Sequence, residues 1–271
     1  MINLVWFKRD LRIRDHKPLY LASKKGPVLP LYIVDPDMWD QPDVSGRHWE
    51  FLKESLIELR EELTLLGQPL IVRVGPADEV IKKITKTFPI SAVWSHQETG
   101  NKWSFQRDKK VDQSLKKLCI PWYQSQQHGV IRGSVDRNHW AKNWETLMRQ
   151  DICVIDRLQP IGELDVGKIP DWPNSNLAID FCPKRQKGGI RRAHENLESF
   201  LTSRSKNYLN DISIPDKAKK SCSRLSAYIS VGNISIREIY QAVKLKRDEM
   251  TNKKRNYKKP LSAFEGRLHW H

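Results

Sequence analysis

Short apolar segments alternate with amphipathic ones along the first 125 residues. Five apolar runs predict strands that are buried on both faces of a sheet, namely LVWF (4–7), VLPLYIV (28–34), PLIVRV (69–74), AVWSH (92–96) and PWYQS (121–125). Helical periodicity lies between them, over residues 46–66, 77–88 and 101–118. Such alternation with short connections predicts right-handed crossovers. We therefore predict a Rossmann-like α/β domain with a five-stranded parallel sheet over residues 1–125.

The pattern changes after residue 125. Prolines and glycines recur between residues 126 and 190, around one predicted helix at 140–149, which is typical of an interdomain connector. Helical periodicity returns over 191–203, 223–243 and 261–271, where Leu261, Phe264, Leu268 and His271 share one helical stripe. No Gly, Asn or Pro stop signal follows that last stripe. We predict an incomplete all-α domain over residues 191–271.

Charge and cysteine content narrow the functional class. The chain has 47 Lys and Arg residues against 32 Asp and Glu, a formal net charge of +15, which suits a polyanionic partner or a surface selected for solubility. The four cysteines show no paired C-x-x-C spacing, so neither a zinc site nor a disulfide framework is predicted, and no metal site is expected. Such dispersed cysteines fit a reducing cytoplasm best. Without a signal peptide or a long apolar run, we expect a soluble protein without membrane spans.

The α/β segment lacks the usual nucleotide-binding motifs. Neither G-x-G-x-x-G nor G-x-x-x-x-G-K-[ST] occurs in the sequence. In doubly wound sheets, ligands bind at the carboxyl ends of the strands, which here include the HQETGNKW loop. Polar groups of His96, Gln97, Glu98 and Asn101 could bind a heterocycle there. A solvated loop that caps a helix explains the same residues equally well.

A second candidate site lies in SCSRLSAYISVGN, residues 221–233. Ser221 and Ser223 are N-cap residue types, and we place Arg224 and Ser226 in the first turn of the helix that they would begin. Hydroxyl groups, free backbone N–H groups and a guanidinium together would suit a phosphate or pyrophosphate. Ordinary helix capping is the alternative interpretation.

Four segments resemble the cryptochrome/DNA photolyase family, in the order in which that family carries them. LVWFKRDLRIRDHKPLYLA resembles the opening of the family, and HQETGNKWSFQRDKKV resembles the region that lines its antenna chromophore. SCSRLSAYISVGNISIREIYQA resembles the FAD-phosphate motif, and LSAFEGRLHWH resembles the next family helix, which contacts both flavin and damaged DNA. The chain is thus identified as a member of this family along nearly its whole length.

The resemblance implies an antenna domain followed by a helical FAD-binding domain with a basic DNA-binding face. By motif position, the implied FAD-binding residues are Tyr208, Cys222, Ser223, Arg224, Leu225, Ser226 and Phe264. Arg267 and Trp270 would approach the lesion, and His96, Gln97, Glu98 and Asn101 would line the antenna site. The antenna remains open among a pterin, a deazaflavin and a flavin. The implied activity is light-driven repair of ultraviolet pyrimidine dimers in DNA, by electron transfer from reduced FAD.

Two departures from the family pattern affect this expectation. Arg267 stands where well-studied dimer photolyases carry a glutamate, so a cation that can only donate hydrogen bonds replaces an acceptor. The sequence therefore leaves undecided which DNA lesion would be bound. The family domain also continues well past residue 271, which predicts a photolyase cut within its flavin domain, with a weak or incomplete FAD site and a separately encoded C-terminal fragment as a candidate partner.

Three functional hypotheses follow. The first is a photolyase lineage. The second is a non-catalytic chromophore- or nucleotide-binding remnant, or a fragment of a blue-light photoreceptor. The third, a nucleotide-hydrolysing α/β enzyme, is weakest because no phosphate loop or metal cluster is visible in the sequence.

Overall fold

The computed structural model describes residues 1–132, 138–249 and 255–270. His271, which the sequence pattern places on the last helical stripe, lies outside these residues. The described chain divides into two compact units, one of residues 1–127 and 153–189 and the other of residues 128–152 and 190–271. The first is the α/β unit and the second is the helical unit. The predicted connector, 126–190, is therefore shared between the two.

The α/β unit is built on parallel strands that the sequence pattern predicts correctly. Its elements are β1 (Ile2–Phe7), α1 (Lys17–Ser23), β2 (Val28–Val34), α2 (Pro36–Trp39), α3 (Gly46–Leu65), β3 (Ile71–Val74), α4 (Ala77–Thr87), β4 (Ile90–His96), α5 (Lys102–Lys117) and β5 (Trp122–Ser125). In the described residues the strands form one five-stranded sheet of order β3-β2-β1-β4-β5, and every pairing is parallel. The predicted Rossmann-like fold is confirmed.

The strand order determines where a ligand could enter. The chain proceeds outward from β1 to β3 and then returns to the other side of β1 as β4. The loops after β1 and β4 therefore leave the sheet in opposite directions, which opens a crevice at their carboxyl ends. Below that edge, strand residues such as Leu4 and Leu31 pack against Ile81 of α4 and Val111 of α5 in one apolar core.

Residues 153–189 pack on the α/β unit although they contain no helix or strand. The backbone N–H of Leu158 donates to the carbonyl of Leu66 (2.7 Å), and the N–H of Val72 donates to the carbonyl of Val166 (2.8 Å). Arg185 forms an ion pair with Glu54 of α3, with 2.8 Å between the guanidinium and a carboxylate oxygen. The two backbone hydrogen bonds satisfy polar groups of a segment whose prolines and glycines prevent regular structure, and the ion pair adds a side-chain contact.

The helical unit contains the remaining elements. They are α6 (Trp140–Met148), α7 (Ile190–Thr202), a 3₁₀ turn (Arg204–Asn207), α8 (Tyr208–Asp211), α9 (Pro215–Ser221), α10 (Ser226–Val231), α11 (Ile236–Asp248) and α12 (Arg255–Leu268). The predicted helical stretch 223–243 is two helices, because Gly232 ends α10 with φ of 80° and Ser235 begins α11. Ser235 and Glu238 form a complete capping box. Among the described helices, none combines the length and the apolar character that crossing a bilayer requires.

Candidate functional site

The helical unit contains a cavity of about 270 Å³, which we call the helical-unit cavity. Its walls come from α8, the loop between α9 and α10, α10 itself, and α12 with the residues that follow it. All nine residues that the resemblance assigns to flavin and lesion line this one cavity, together with Ile229 and Leu268: Tyr208, Cys222, Ser223, Arg224, Leu225, Ser226, Phe264, Arg267 and Trp270.

The loop of residues 222–225 differs in detail from the helix start that the sequence predicts. Ser221 is not an N-cap, since it is the last residue of α9 and its hydroxyl contacts the carboxylate of Asp211. The next helix, α10, begins at Ser226, so Arg224 precedes the helix and has φ of 57°. The Ser223 hydroxyl accepts a 3.4 Å hydrogen bond from the backbone N–H of Leu225. The left-handed conformation at Arg224 costs energy, which the surrounding structure must offset.

Arg204 holds this loop, and nothing in the sequence indicated it. Its guanidinium donates to the carbonyl of Cys222, 18 positions later, and to the carbonyl of Ser223 (3.3 Å). The same side chain also donates to the carbonyl of Asn196 (2.6 Å) and the hydroxyl of Ser199 (3.0 Å). Burial, and then the neighbouring charge of Arg224, lower its pKa. Arg204 therefore joins α7 to the loop that forms one wall of the helical-unit cavity.

The helical-unit cavity combines positive charge with an aromatic wall. Arg224 and Arg267 line it, and no Asp or Glu is among its lining residues. The ring of Phe264 lies 4.6 Å from that of Phe200 and 5.8 Å from that of Tyr208, centroid to centroid. At the mouth, the Arg267 guanidinium lies 5.3 Å from the ring centroid of Trp270, whose side chain is 78% exposed. This arrangement suits an anionic ligand that also carries an apolar part.

The four predicted antenna residues are not brought together in one site. His96 is buried and hydrogen-bonded to Asp10, and the backbone N–H of Gln97 donates to the carbonyl of Ser125 (2.8 Å). Asn101 caps α5 by accepting from the N–H of Ser104 (3.0 Å). Of the four, only Glu98 lines the crevice at the sheet edge.

Asp10 is the centre of a buried hydrogen-bonded cluster beneath that edge. Its carboxylate accepts from His96 Nδ1 (2.7 Å), from His16 Nε2 (3.0 Å) and from the backbone N–H of Lys8 (2.6 Å). Burial alone would raise the pKa of Asp10, but the interactions with His16 and His96 outweigh it and hold that pKa well below its usual range. Burial lowers the pKa of His96 to about 3, so its imidazole is neutral at pH 7.

The Asp10 cluster has the residue types of a metal site, but its hydrogen bonds fit another role. The candidate ligand atoms of Asp10, His16 and His96 all lie within 4.8 Å of one another. However, His16 Nδ1 accepts from the backbone N–H of Leu19 (3.1 Å), so Nε2 is the ring nitrogen that carries a proton. That proton is donated to Asp10, so Nε2 is not available to bind a metal ion. The cluster thus fastens the loop after β1 to the end of β4.

A second charged cluster, the Arg107 network, lies at the sheet edge itself. Arg107 pairs with Glu98 (2.6 Å) and Asp108 (2.7 Å), and Lys8 pairs with Asp108 (3.0 Å). Burial would lower the pKa of Arg107, but Glu98 and Asp108 outweigh it and raise that pKa. One sequence signal could have revealed the network: Asp108 lies on the buried stripe of α5 with Ser104, Val111 and Leu115. A carboxylate on an apolar stripe requires a buried partner.

Comparison with known proteins identifies the family. Residues 3–139 match the family model described as DNA photolyase. Cryptochrome DASH of Gloeobacter violaceus is 28% identical, with 89% of this chain and 52% of the relative covered. A deoxyribodipyrimidine photo-lyase of Alkalihalophilus pseudofirmus is 25% identical, with 88% and 53% covered. This chain therefore spans about half the length of these relatives.

The fold is shared with a solved structure. The cryptochrome of Synechocystis sp. PCC6803 superposes with a TM-score of 0.81 at 22% identity, covering 100% of this chain and 60% of that chain. At this identity the match concerns the fold. It supports both the parallel sheet and the helices that follow it.

Proposed function

This chain belongs to the DNA photolyase family, and we propose that its helical unit binds FAD through the phosphates and the ribityl chain. The observation that carries this proposal is the helical-unit cavity, where nine residues from three separate chain segments meet. Their roles follow from their chemistry. Ser223, Arg224 and Ser226 hold the phosphates, while Tyr208 and Phe264 form the apolar wall.

The donor set fits the anionic half of FAD. Phosphate oxygens accept from hydroxyl groups, backbone N–H groups and guanidinium groups, and the lining residues supply all three. The absence of Asp and Glu from the lining residues removes the charge that would repel phosphate. A volume of about 270 Å³ lies just below the range of about 300–1,000 Å³ typical of small-molecule sites, so the cavity holds part of FAD and leaves the isoalloxazine less enclosed.

The activity that we propose is light-driven repair of pyrimidine dimers in DNA. Bound FAD would supply the light-driven electron transfer, and the chain's residues would bind and orient both molecules. Arg267 and Trp270 lie at the mouth of the cavity, where a lesion would meet the flavin. Because Arg267 only donates, it would contact phosphate or base carbonyl oxygens. DNA is the proposed partner, and a separately encoded photolyase fragment would complete the isoalloxazine wall.

A blue-light photoreceptor is the second candidate function. Arg267 favours it, because the acceptor that binds a pyrimidine dimer in well-studied photolyases is replaced by a cation. The similarity to cryptochrome DASH points the same way. Both functions use the same flavin site. They are distinguished by whether the illuminated protein repairs a pyrimidine dimer in DNA.

The proposal is tested by titrating the purified chain with FAD and following flavin fluorescence. We expect weak saturable binding that Arg224→Gln weakens about tenfold, since a partly exposed charge-assisted contact contributes about 1.4 kcal/mol. Arg192→Gln on α7 is the matched control, because Arg192 pairs with Glu195 on the surface. Equal affinities of the Arg224 variant and the parent protein would exclude this phosphate site.

Repair is measured separately, on a dimer-containing oligonucleotide under blue light with reduced FAD. We expect no repair by this chain alone. Co-expression with the C-terminal half of a photolyase should restore a yellow colour and repair. Restored colour without repair would favour the photoreceptor function.

A further inference from the structure

The crevice at the carboxyl edge of the sheet is where a doubly wound α/β unit binds its ligand. It lies where β1 and β4 diverge, and its walls include Lys8 after β1, Asp35 after β2 and Glu98 after β4. Resemblance to the family places an antenna chromophore near the loop that contains Glu98. The residues at this edge therefore show whether a chromophore fits.

The space in this crevice is about 20 Å³. A single ordered water needs roughly 10–15 Å³ by the same measure. Sites for small organic ligands are typically about 300–1,000 Å³. A pterin, a deazaflavin or a flavin thus needs a space larger by about an order of magnitude.

The side chain that fills the crevice is Arg107. Its guanidinium lies 4.8 Å from the ring centroid of Trp6 and 5.3 Å from that of Trp103. At its edges it donates to Glu98 Oε2 (2.6 Å) and to Asp108 Oδ1 (2.7 Å). A planar, delocalised group with aromatic contacts and hydrogen bonds at its edge is what a bound heterocycle would present.

Moving Arg107 aside would be unfavourable. The side chains of Glu98 and Asp108 are only 7% and 6% exposed, and each pairs with Arg107. Displacing the guanidinium would therefore break two ion pairs with nearly buried carboxylates at once. Breaking a buried ion pair by removing one partner is strongly destabilising. A chromophore would have to supply this energy in addition to its own desolvation.

We infer that Arg107 closes the sheet-edge crevice and that the α/β unit binds no antenna chromophore there. The inference concerns only the α/β unit and does not rest on FAD binding in the helical unit. It departs from the expectation that the HQETGNKW loop lines an antenna. The loop instead supplies Glu98, the carboxylate that holds Arg107 in place.

The test uses the full chain and one probe for each chromophore class, namely FMN, a 5-deazaflavin and tetrahydrofolate. Each is titrated to about 0.1 mM while its fluorescence anisotropy is followed. The parent protein is compared with Arg107→Lys, which retains the charge, and with Met38→Ala, which widens the rim of the crevice. Arg224→Gln controls for probes that bind in the helical unit instead, and Lys116→Ala, on the exposed face of α5, controls for substitution in that helix.

Two results support the inference. One is no saturable binding of any probe by the parent protein, whether or not a variant with a shorter side chain gains it, and the other is binding whose affinity is the same in the parent, Arg107→Lys and Met38→Ala proteins. Saturable binding by the parent protein that changes tenfold or more in Arg107→Lys or Met38→Ala would overturn the inference. If Arg107→Lys does not fold, as judged by circular dichroism, Met38→Ala decides alone, since that half-buried side chain is not part of the ion-pair network.

Discussion

His96 Nδ1 donates a 2.7 Å hydrogen bond to the carboxylate of Asp10, joining the end of β4 to the loop after β1 inside the α/β unit. Both side chains are almost fully buried. The pair therefore links protonation of His96 to the stability of the fold. Burial lowers the pKa of His96 to about 3, against 6.5 in an unfolded chain.

We predict that His96→Asn removes one pH-dependent contribution to stability. A histidine whose pKa is lowered on folding stabilises the protein above pH 6.5, and that stabilisation is lost as the pH falls from 6.5 towards 3. Asn places an amide nitrogen near Nδ1 but does not titrate. The deficit of the variant in unfolding free energy should therefore shrink by about 1.4 kcal/mol per pH unit below pH 6.

Urea unfolding at pH 7, 6, 5 and 4 measures this deficit. Ser95→Ala is the control, because Ser95 is the buried, non-titrating neighbour of His96 on β4. Its deficit relative to the parent protein should be independent of pH. A deficit of His96→Asn that is equally constant would contradict the assignment of a neutral, buried His96.

We predict that Arg204 stabilises the helical unit more than the surface arginine Arg192 does. Arg204→Met leaves the carbonyls of Cys222 and Asn196 without a charged donor, at a cost of about 2–4 kcal/mol in unfolding free energy. Arg204→Lys keeps the charge but cannot reach all four acceptors at once, so it should fall between the parent and Met. Arg192→Met, on the exposed face of α7, should cost less than about 1 kcal/mol.

Chemical denaturation of the three variants ranks their unfolding free energies. FAD titration then shows whether a less stable loop also weakens FAD binding in the helical-unit cavity. Loss of the loop conformation at Arg224 should weaken FAD binding in Arg204→Met even where the protein is fully folded. Equal unfolding free energies for Arg204→Met and Arg192→Met would refute the positioning role.

Local patterns in the sequence predict most of the fold. Strands such as β2 (Val28–Val34) consist of residues buried on both sides, so the apolar run is itself the structural signal. The sequence also contains the signals that separate α10 from α11, namely Gly232 and the capping box of Ser235 and Glu238. Apolar periodicity continues across these residues, so it predicts a single helix there. Periodicity identifies faces of helices more reliably than their ends.

The candidate sites are only partly visible in the sequence. The helical-unit cavity is predicted through motif positions, because the loop residues 222–226 are consecutive. The role of Arg204 is not predicted, because its acceptors lie in other segments of the chain and are brought to it only by the tertiary fold. Similarly, the sequence alone gives Glu98 the appearance of a solvated loop residue, and only the structure shows that it pairs with Arg107. Long-range charge pairing leaves little trace in a single sequence.

Two glycines of the helical unit should respond oppositely to substitution by alanine. A Cβ on Gly129 would lie 2.2 Å from Cδ1 of Trp144, a fully buried ring stacked 3.8 Å from His269. Gly129→Ala should therefore cost about 1–3 kcal/mol through overpacking. Gly266 lies in α12, and apart from its own helix backbone no atom of the described residues lies within 4 Å of its added Cβ, so Gly266→Ala should stabilise by up to about 1 kcal/mol. Thermal unfolding of both variants shows whether each substitution raises or lowers stability. A Gly129→Ala protein as stable as the parent would contradict the packing around Trp144.

Binding to DNA should depend on phosphate contacts made by the helical unit. Lys217, Lys219 and Lys220 are exposed on α9, directly before the loop that lines the helical-unit cavity. Each phosphate that a lysine neutralises contributes about 0.9 to the slope of log affinity against log salt concentration. Replacing all three by Gln should therefore reduce the slope by up to about 3, and the affinity should fall for undamaged and dimer-containing duplexes alike.

The matched control replaces Lys82, Lys83 and Lys86, three exposed lysines of α4 in the α/β unit, and changes the net charge by the same amount. Fluorescence anisotropy with a labelled duplex at several salt concentrations compares the two triple variants. If DNA responds only to the net charge of +15, both variants lose the same slope. A loss confined to the α9 variant would locate the phosphate contacts beside the cavity, where a lesion-binding face is expected, whereas a loss confined to the α4 variant would place DNA on the α/β unit.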